Sequence, residues 1–150
     1  MVIVKKLNPD ELSEFKNLLD IFQEVFEVDS VKPADNYPAA LLTDPNFMVF
    51  VVMVDQKVVA GLTVYVLHSY YTPKPVAYIY DVGVRPAFQG RGLGKQLLSE
   101  VCSYCAQNGF DHAYVEAESD DLEAVRFYRK TNSSTEMNAV HFTYLFPTKE

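Results

Sequence analysis

The sequence predicts an α/β (α+β) protein: a mixed, mostly antiparallel central sheet with helices on both faces. Three observations carry that class. β-branched and aromatic runs alternate with stretches in which apolar residues recur every three or four positions. Asp55-Gln56-Lys57 joins two apolar runs as a hairpin turn, which pairs them antiparallel. One strand passes through a glycine-rich turn into a long amphipathic helix and on to another strand, and a helical crossover of that kind links parallel neighbours.

The elements follow in order. Val2 to Val4 suits a short N-terminal strand. Asn8-Pro9-Asp10-Glu11 reads as a helix start, with Asn8 as cap, Pro9 at the first helical position and Glu11 able to reach back. Leu12, Phe15, Leu19, Phe22 and Phe26 then predict a helix of about four turns. A looser segment with Pro33 and Pro38 carries a second, short helix ending near Leu42. Asp35 and Tyr37 lie there, either bordering a binding cleft or serving as a helix cap and a packing aromatic. Phe47 to Val54 and Val58 to Leu67 form the hairpin. The loop from His68 to Pro75 leads into a central strand, Val76 to Val84. Leu93, Leu97, Leu98, Val101, Cys102 and Cys105 mark the core-facing stripe of the next helix, which Asn108-Gly109 stops. Ala113 to Ala117 is a further strand. Asp120-Asp121 caps a helix carrying Ala124, Val125, Phe127 and Tyr128, and Asn138 to Phe146 closes the chain as a last strand.

With 150 residues, 49% hydrophobic and 22% charged, the chain is expected to fold as one domain, 1–150. Its longest apolar run, Phe47 to Val54, is too short to span a bilayer, and the N-terminus lacks a signal peptide's apolar segment; the expected location is cytoplasmic. A net charge of −7 disfavours nucleic acid and favours a cationic partner. Cys102 and Cys105 sit late in a helix without a second pair, so they read as packed thiols. His68, His112 and His141 show no ligand spacing, and no metal is expected.

The most informative stretch is Asp81-Val82-Gly83-Val84-Arg85-Pro86-Ala87-Phe88-Gln89-Gly90-Arg91-Gly92-Leu93-Gly94. Gly90, Gly92 and Gly94 fall where a helix begins and exposes unpaired N–H groups. Residues without a Cβ let the backbone approach a pyrophosphate and aim amides at it. Arg85, Arg91 and Lys95 add positive charge in an acidic chain. Two commoner phosphate loops are excluded by spacing. A P-loop needs four residues between its glycines and Ser or Thr after the lysine, but Gln96 follows Lys95; a dinucleotide fingerprint needs glycine where Lys95 stands. The string Gln89-Gly90-Arg91-Gly92-Leu93-Gly94 resembles the acetyl-CoA signature of the GNAT N-acetyltransferase superfamily. The resemblance implies that the amides of Gln89 to Gly94, with Lys95, hold the pyrophosphate and that Val82, Gly83 and Val84 pair with pantetheine. It also implies the GNAT sheet, whose two central strands splay apart to admit the cofactor.

Acyl transfer to an amine needs a base, a donor for the developing oxyanion and an acid for the leaving thiolate. Asp81 ends an apolar strand beside the implied cofactor channel, where a charge requires a reason; it is the candidate base or amine-binding group. Strict alternation places it with Ile79 and Gly83, opposite Val82, unless a bulge re-aims it. The Val82 N–H is the candidate oxyanion donor. Glu116 and Glu118 share a face of the next strand and could join Asp81 around a cationic substrate, or form a solvated edge. Asp121-Leu122-Glu123-Ala124-Val125-Arg126-Phe127-Tyr128 resembles the GNAT pattern Asn-x-x-Ala-x-x-Phe-Tyr. It implies Tyr128 as the general acid, its phenol pKa of about 10 keeping it protonated, and Asp121 in the place of a cofactor-binding Asn. The alternative for Tyr128 is a core tyrosine.

Leu18-Leu19-Asp20-Ile21-Phe22, Val59-Ala60-Gly61-Leu62, Tyr65-Val66-Leu67, Tyr78-Ile79-Tyr80-Asp81-Val82, Val115-Glu116-Ala117-Glu118 and Val140-His141-Phe142 together resemble class I aminoglycoside 3-N-acetyltransferases. That resemblance implies acetyl transfer from acetyl-CoA to the 3-amine of an aminoglycoside, hence antibiotic resistance, and a chain able to form a homodimer. Two departures leave the acceptor open: Thr131-Asn132-Ser133-Ser134 replaces a glycine after the last helix, and Thr143 stands where an Asp is frequent. A polyamine, another cellular amine or a protein amine is the alternative acceptor, and a CoA-binding sensor without turnover is the alternative of another class.

Overall fold

The computed structural model describes residues 1–29 and 32–148. Its elements are β1 (Val2–Lys6), α1 (Leu12–Val25), α2 (Asn36–Thr43), β2 (Phe47–Val54), β3 (Lys57–Leu67), β4 (Val76–Val84), a 3-10 turn at Pro86–Phe88, α3 (Leu93–Gln107), β5 (His112–Val115) and α4 (Leu122–Arg129). The chain divides into two compact units, Met1–Glu116 and Ala117–Glu150. The first holds one sheet in the order β1-β2-β3-β4-β5, antiparallel throughout except for the parallel β4–β5 pair. The mixed, mostly antiparallel class expected from the sequence is what the chain adopts.

Helices cover both faces of that sheet. Phe47, Val49 and Val51 of β2 cluster with Phe15, Leu18, Ile21 and Phe22 of α1. The alternate residue Phe50 packs its ring edge-on against Tyr104 of α3, centroids 5.3 Å apart. Glycine decides how closely α1 sits. A Cβ built on Gly61 would lie 2.6 Å from Leu18 Cδ1 and 2.7 Å from the Phe50 carbonyl oxygen, and one on Gly83 would lie 3.0 Å from the Phe22 ring. This approach leaves Leu18 and Ile21 at 0% exposure, each side chain contributing about 2–3 kcal/mol of burial free energy.

Several expectations need correction. The buried face of α1 is Phe15, Leu18, Ile21 and Phe22, whereas Phe26 is 40% exposed, stacked on Phe22 at the helix end. The helix also begins later than the Asn8-Pro9 signal suggested. Glu11 occupies the N-cap place, its carboxylate accepting from the Asn8 N–H at 2.8 Å while its own N–H donates to the Asn8 carbonyl at 3.0 Å. The reach-back works, but it closes a turn ahead of the helix. On α3, Cys105 is buried as expected and Cys102 is exposed, one position outside the stripe. β5 ends at Val115, short of Ala117.

The second unit contains α4, capped by Asp121 Oδ1, which accepts from the Ala124 N–H at 3.1 Å. The expected closing strand from Asn138 to Phe146 is absent. Those residues carry no regular secondary structure, and Val140, Phe142, Tyr144 and Phe146 are exposed. Alternation supplies strand propensity, but a strand also needs a neighbouring edge to bond. No strand forms among the described residues of that unit. No helix among the described residues is long and apolar enough to cross a membrane.

Candidate active site

The glycine turn is built as the spacing required. Gly90 and Gly92 both have φ +76°, a region that L side chains rarely adopt, and nothing lies within 4 Å of a Cβ at either. Gly92 is the left-handed N-cap of α3, and its carbonyl accepts the Gln96 N–H at 3.0 Å. The amides ahead of that first bond have no helical acceptor and point out of the helix start. Gln89 ties the turn to the strand before it, donating from Nε2 to the Val84 carbonyl at 3.0 Å. The Arg91 guanidinium lies 4.9 Å from the centroid of the Phe88 ring, Arg85 reaches toward Glu24 at 3.9 Å, and Lys95 is exposed.

Strand β4 carries the candidate residues ahead of the turn. Its ladder with β5 ends at the Ile79–Val115 pair, while β4 itself runs on to Val84. The Arg85 N–H bonds the Val59 carbonyl on the β3 side at 2.8 Å. Backbone polar groups alternate in direction along a strand, so Gly83 faces β3, and Val82 and Val84 point to the opposite edge, the one β5 has left. The Val84 carbonyl reached by Gln89 agrees with that parity.

A bulge re-aims the residues at this point. Leu62 pairs with Val82 and Val64 with Ile79, so Tyr80 and Asp81 together oppose Thr63. Strict alternation for Asp81 is therefore broken. Tyr80 stays with Tyr78 on one face, their rings 5.7 Å apart, and Tyr80 meets Tyr65 edge-on at 5.3 Å. Burial raises the Tyr65 phenol pKa, and Tyr80, Tyr37 and the Asp81 carboxylate add to the rise, which places all four groups in one neighbourhood. Burial likewise raises the Asp81 carboxyl from its ordinary value.

Ring contacts continue across the sheet in the sequence Phe15, Phe47, Tyr65, Tyr80, Tyr78, Tyr114. The row runs from Phe15, 2% exposed, to Tyr80, 52% exposed, and so from dry core to open surface. Tyr78 lies flat on Tyr114, 4.7 Å apart with 6° between planes, and donates its hydroxyl to Glu116 Oε1 at 2.8 Å.

Residues 15–132 match the family model described as Acetyltransferase (GNAT) family. The chain belongs to the GNAT acetyltransferase family. Its structure superimposes on meta-AAC0020, an aminoglycoside acetyltransferase from an uncultured soil metagenomic sample, with TM-score 0.95, 37% identity and 97% of each chain covered. That protein was crystallised in complex with trehalose and, in a second structure matching at TM-score 0.96, with sisomicin. A second aminoglycoside acetyltransferase, HMB0005, also from an uncultured soil metagenomic sample, matches at TM-score 0.89 and 25% identity over 98% of this chain and 99% of that one. Among curated proteins, the mycothiol acetyltransferase of Saccharomonospora viridis is 37% identical over 62 residues. Those residues are 41% of this chain but only 20% of that protein, so the chain spans about a fifth of that relative's length.

GNAT acetyltransferases use acetyl-CoA. The glycine turn suits that cofactor: open left-handed glycines, a helix start and flanking cations fit a pyrophosphate, and the edge of β4 beyond Ile79 fits an extended amide chain. In this GNAT chain the first unit therefore holds Asp81, Val82, Gly83, Val84 and Gln89 to Lys95 on one continuous strand, turn and helix. Glu116 stands just past β5, bonded to Tyr78. Asp35 is engaged by Lys16 Nζ at 3.1 Å, and Tyr37 is exposed at the start of α2.

The second unit holds the remaining candidates. Glu118 is exposed, and its carbonyl accepts the Asp121 N–H at 3.0 Å. The Asp121 side chain caps its own helix. Tyr128 is half-buried in the last turn of α4, its ring 5.1 Å from that of Phe127. Sequence reasoning did not bring Tyr65, Tyr78, Tyr80 and Tyr114 together. The two-residue spacing of Tyr78 and Tyr80 was the available signal; their assembly with Tyr65 and Tyr114 crosses strands far apart in sequence.

Proposed function

We propose that this protein is an acetyl-CoA-dependent N-acetyltransferase whose acceptor is a cationic small-molecule amine, with an aminoglycoside first and its 3-amine as the position modified. The observation that carries the reading is the bulge at Tyr80 and Asp81, which leaves the Asp81 carboxylate within electrostatic reach of Tyr65 on the strand that runs into the glycine turn. The full-length likeness to meta-AAC0020 supports the choice of an aminoglycoside, and the net charge of −7 suits a polycation. Antibiotic resistance would follow from that activity.

Acetyl-CoA, when bound, supplies the acetyl group as a thioester. The chain's own residues have separate duties. Gln89 to Gly94 present backbone amides, and Lys95 a charge, to the pyrophosphate, while Val82, Gly83 and Val84 offer a strand edge; Asp121 is a further cofactor-binding residue in this reading. Asp81 takes the proton that keeps the acceptor's amine from attacking. The Val82 N–H serves negative charge building on a carbonyl oxygen. Tyr128 is the proton donor for a departing thiolate. Glu116, Glu118, Asp35 and Tyr37 bind the acceptor's other polar and cationic groups. Residues 1–150 act as one acetyltransferase domain in this reading, cytoplasmic and able to dimerise.

The test is acetyl-CoA turnover followed by thiol release against aminoglycosides, polyamines and an N-terminal peptide, with the product's acetylated nitrogen located by NMR. Acetylation of an aminoglycoside 3-amine supports the reading. Turnover only with polyamines or peptide overturns the acceptor, and CoA binding without turnover by any amine overturns the enzyme.

A further inference from the structure

The hydroxyl of Tyr78 and the carboxylate of Glu116 make a contact that acyl transfer itself does not require. Tyr78 donates to Oε1 at 2.8 Å, and its ring is held on two sides, flat against Tyr114 at 4.7 Å and edge-on to Tyr80 at 5.7 Å. Parallel pairing puts Tyr78 opposite Tyr114. Glu116 then follows Tyr114 by two residues, on the same face, just where β5 leaves β4. A glutamate at a strand end on an exposed surface has three free torsions. Here one oxygen is held by a phenol whose ring is flanked on two sides, so the side chain has less freedom to lose when a ligand arrives.

We propose that Tyr78 is a positioning residue that sets acceptor selectivity: it fixes Glu116 to receive an ammonium group of the acceptor other than the one acetylated at Asp81. The inference rests on the proposed amine acceptor and adds that the protein prefers acceptors with at least two cationic groups. Burial raises the Tyr78 phenol pKa first, and the hydrogen bond to Glu116 and that carboxylate's charge raise it further, so the hydroxyl stays a donor at any working pH. A phenol that donates to one oxygen leaves the carboxylate its charge and its second oxygen for an ammonium. The aromatic wall of Tyr78, Tyr80 and Tyr114 adds ring faces, which attract cations.

The experiment compares wild type, Tyr78→Phe and Glu116→Gln by steady-state kinetics with a polycationic aminoglycoside and a monoamine of similar size, and by calorimetric titration of the same compounds without acetyl-CoA. Tyr78→Phe keeps the ring stack and removes the donor. The expected result is an acceptor KM about tenfold higher for the polycation, a kcat within about twofold, and an unchanged KM for acetyl-CoA and for the monoamine. Glu116→Gln should show the same selective loss. A Tyr78→Phe enzyme with unchanged affinity for the polycation, or with equal losses for both amines, overturns the proposal. If wild type turns over no amine yet binds the polycation with a Tyr78-dependent affinity, the enzyme reading falls and the positioning role stands. Should Tyr78→Phe melt at markedly lower temperature, the calorimetric titrations are run well below its melting range, where the folded variant must still show the selective loss.

Discussion

Asp81 combines two properties that pull against each other. Its carboxyl is raised by burial in the fold, so the folded protein binds its proton more tightly than the unfolded chain does. By linkage, stability falls as pH rises from the ordinary carboxylate value through the raised one, and the cost is complete above it. Asp81→Asn is therefore expected to melt at the same temperature or higher at pH 7, with no difference below the ordinary carboxylate range. The same substitution should lower turnover about a hundredfold or more while acetyl-CoA affinity holds. A calorimetric scan and a rate measurement on one preparation check both halves; a destabilised variant would show that Asp81 is a structural carboxylate. The acid limb of the pH–rate profile should also lie above the ordinary carboxylate range in wild type. Residue identity made Asp81 visible in the sequence because a charge stands in a mostly apolar strand, but nothing in Tyr78-Ile79-Tyr80-Asp81-Val82 announces the bulge. No glycine or proline marks it, and the extra residue is defined only by its partner, Thr63.

Among the elements, the turn into α3 was the most legible, because Gly90 and Gly92 occupy backbone conformations that few other residues accept. Gly92→Ala should cost about 1–2 kcal/mol of stability in a urea titration, the usual penalty for the left-handed region. Loss of the aimed amides should also raise the KM for acetyl-CoA about tenfold, with the acceptor KM unmoved; an unchanged cofactor KM would remove the turn from the site. The start of α1 gives a second test. Burial would raise the Glu11 carboxyl, but hydrogen bonds from Lys5 and the Asn8 N–H outweigh it and hold the carboxyl low. A depressed carboxyl contributes stability above its unfolded value and loses it as pH falls through the folded one. Glu11→Gln should thus cost about 1 kcal/mol at neutral pH, and wild type and variant should converge in acid. The face of α1 was less legible, since Leu12, Phe15, Leu19, Phe22 and Phe26 satisfy a helical period as well as the stripe that is buried. What selects Leu18 and Ile21 is on other strands: Gly61 and Gly83 leave room for close approach only under that face. The closing strand is illegible for the complementary reason, an alternating pattern at Val140, Phe142 and Tyr144 with no strand among the described residues of its unit.

At the scale of the molecule, the excess of acid acts on encounter with substrate. The net charge of −7 should draw a polycation toward the protein, and salt should screen that attraction. Raising ionic strength from about 50 mM to about 500 mM should increase the acceptor KM severalfold. The kcat should change little; a salt-independent KM would place the acceptor's recognition in uncharged contacts. The row of rings across the sheet has an optical consequence. The chain has ten tyrosines and no tryptophan, so its ultraviolet emission comes from phenols alone. Rings as close as Tyr78 and Tyr114 should exchange excitation, and the carboxylate bonded to Tyr78 should quench its emission. An acceptor seated against Tyr80 and Glu116 would change both quenching and polarisation, giving a label-free signal of occupancy from the unaltered protein.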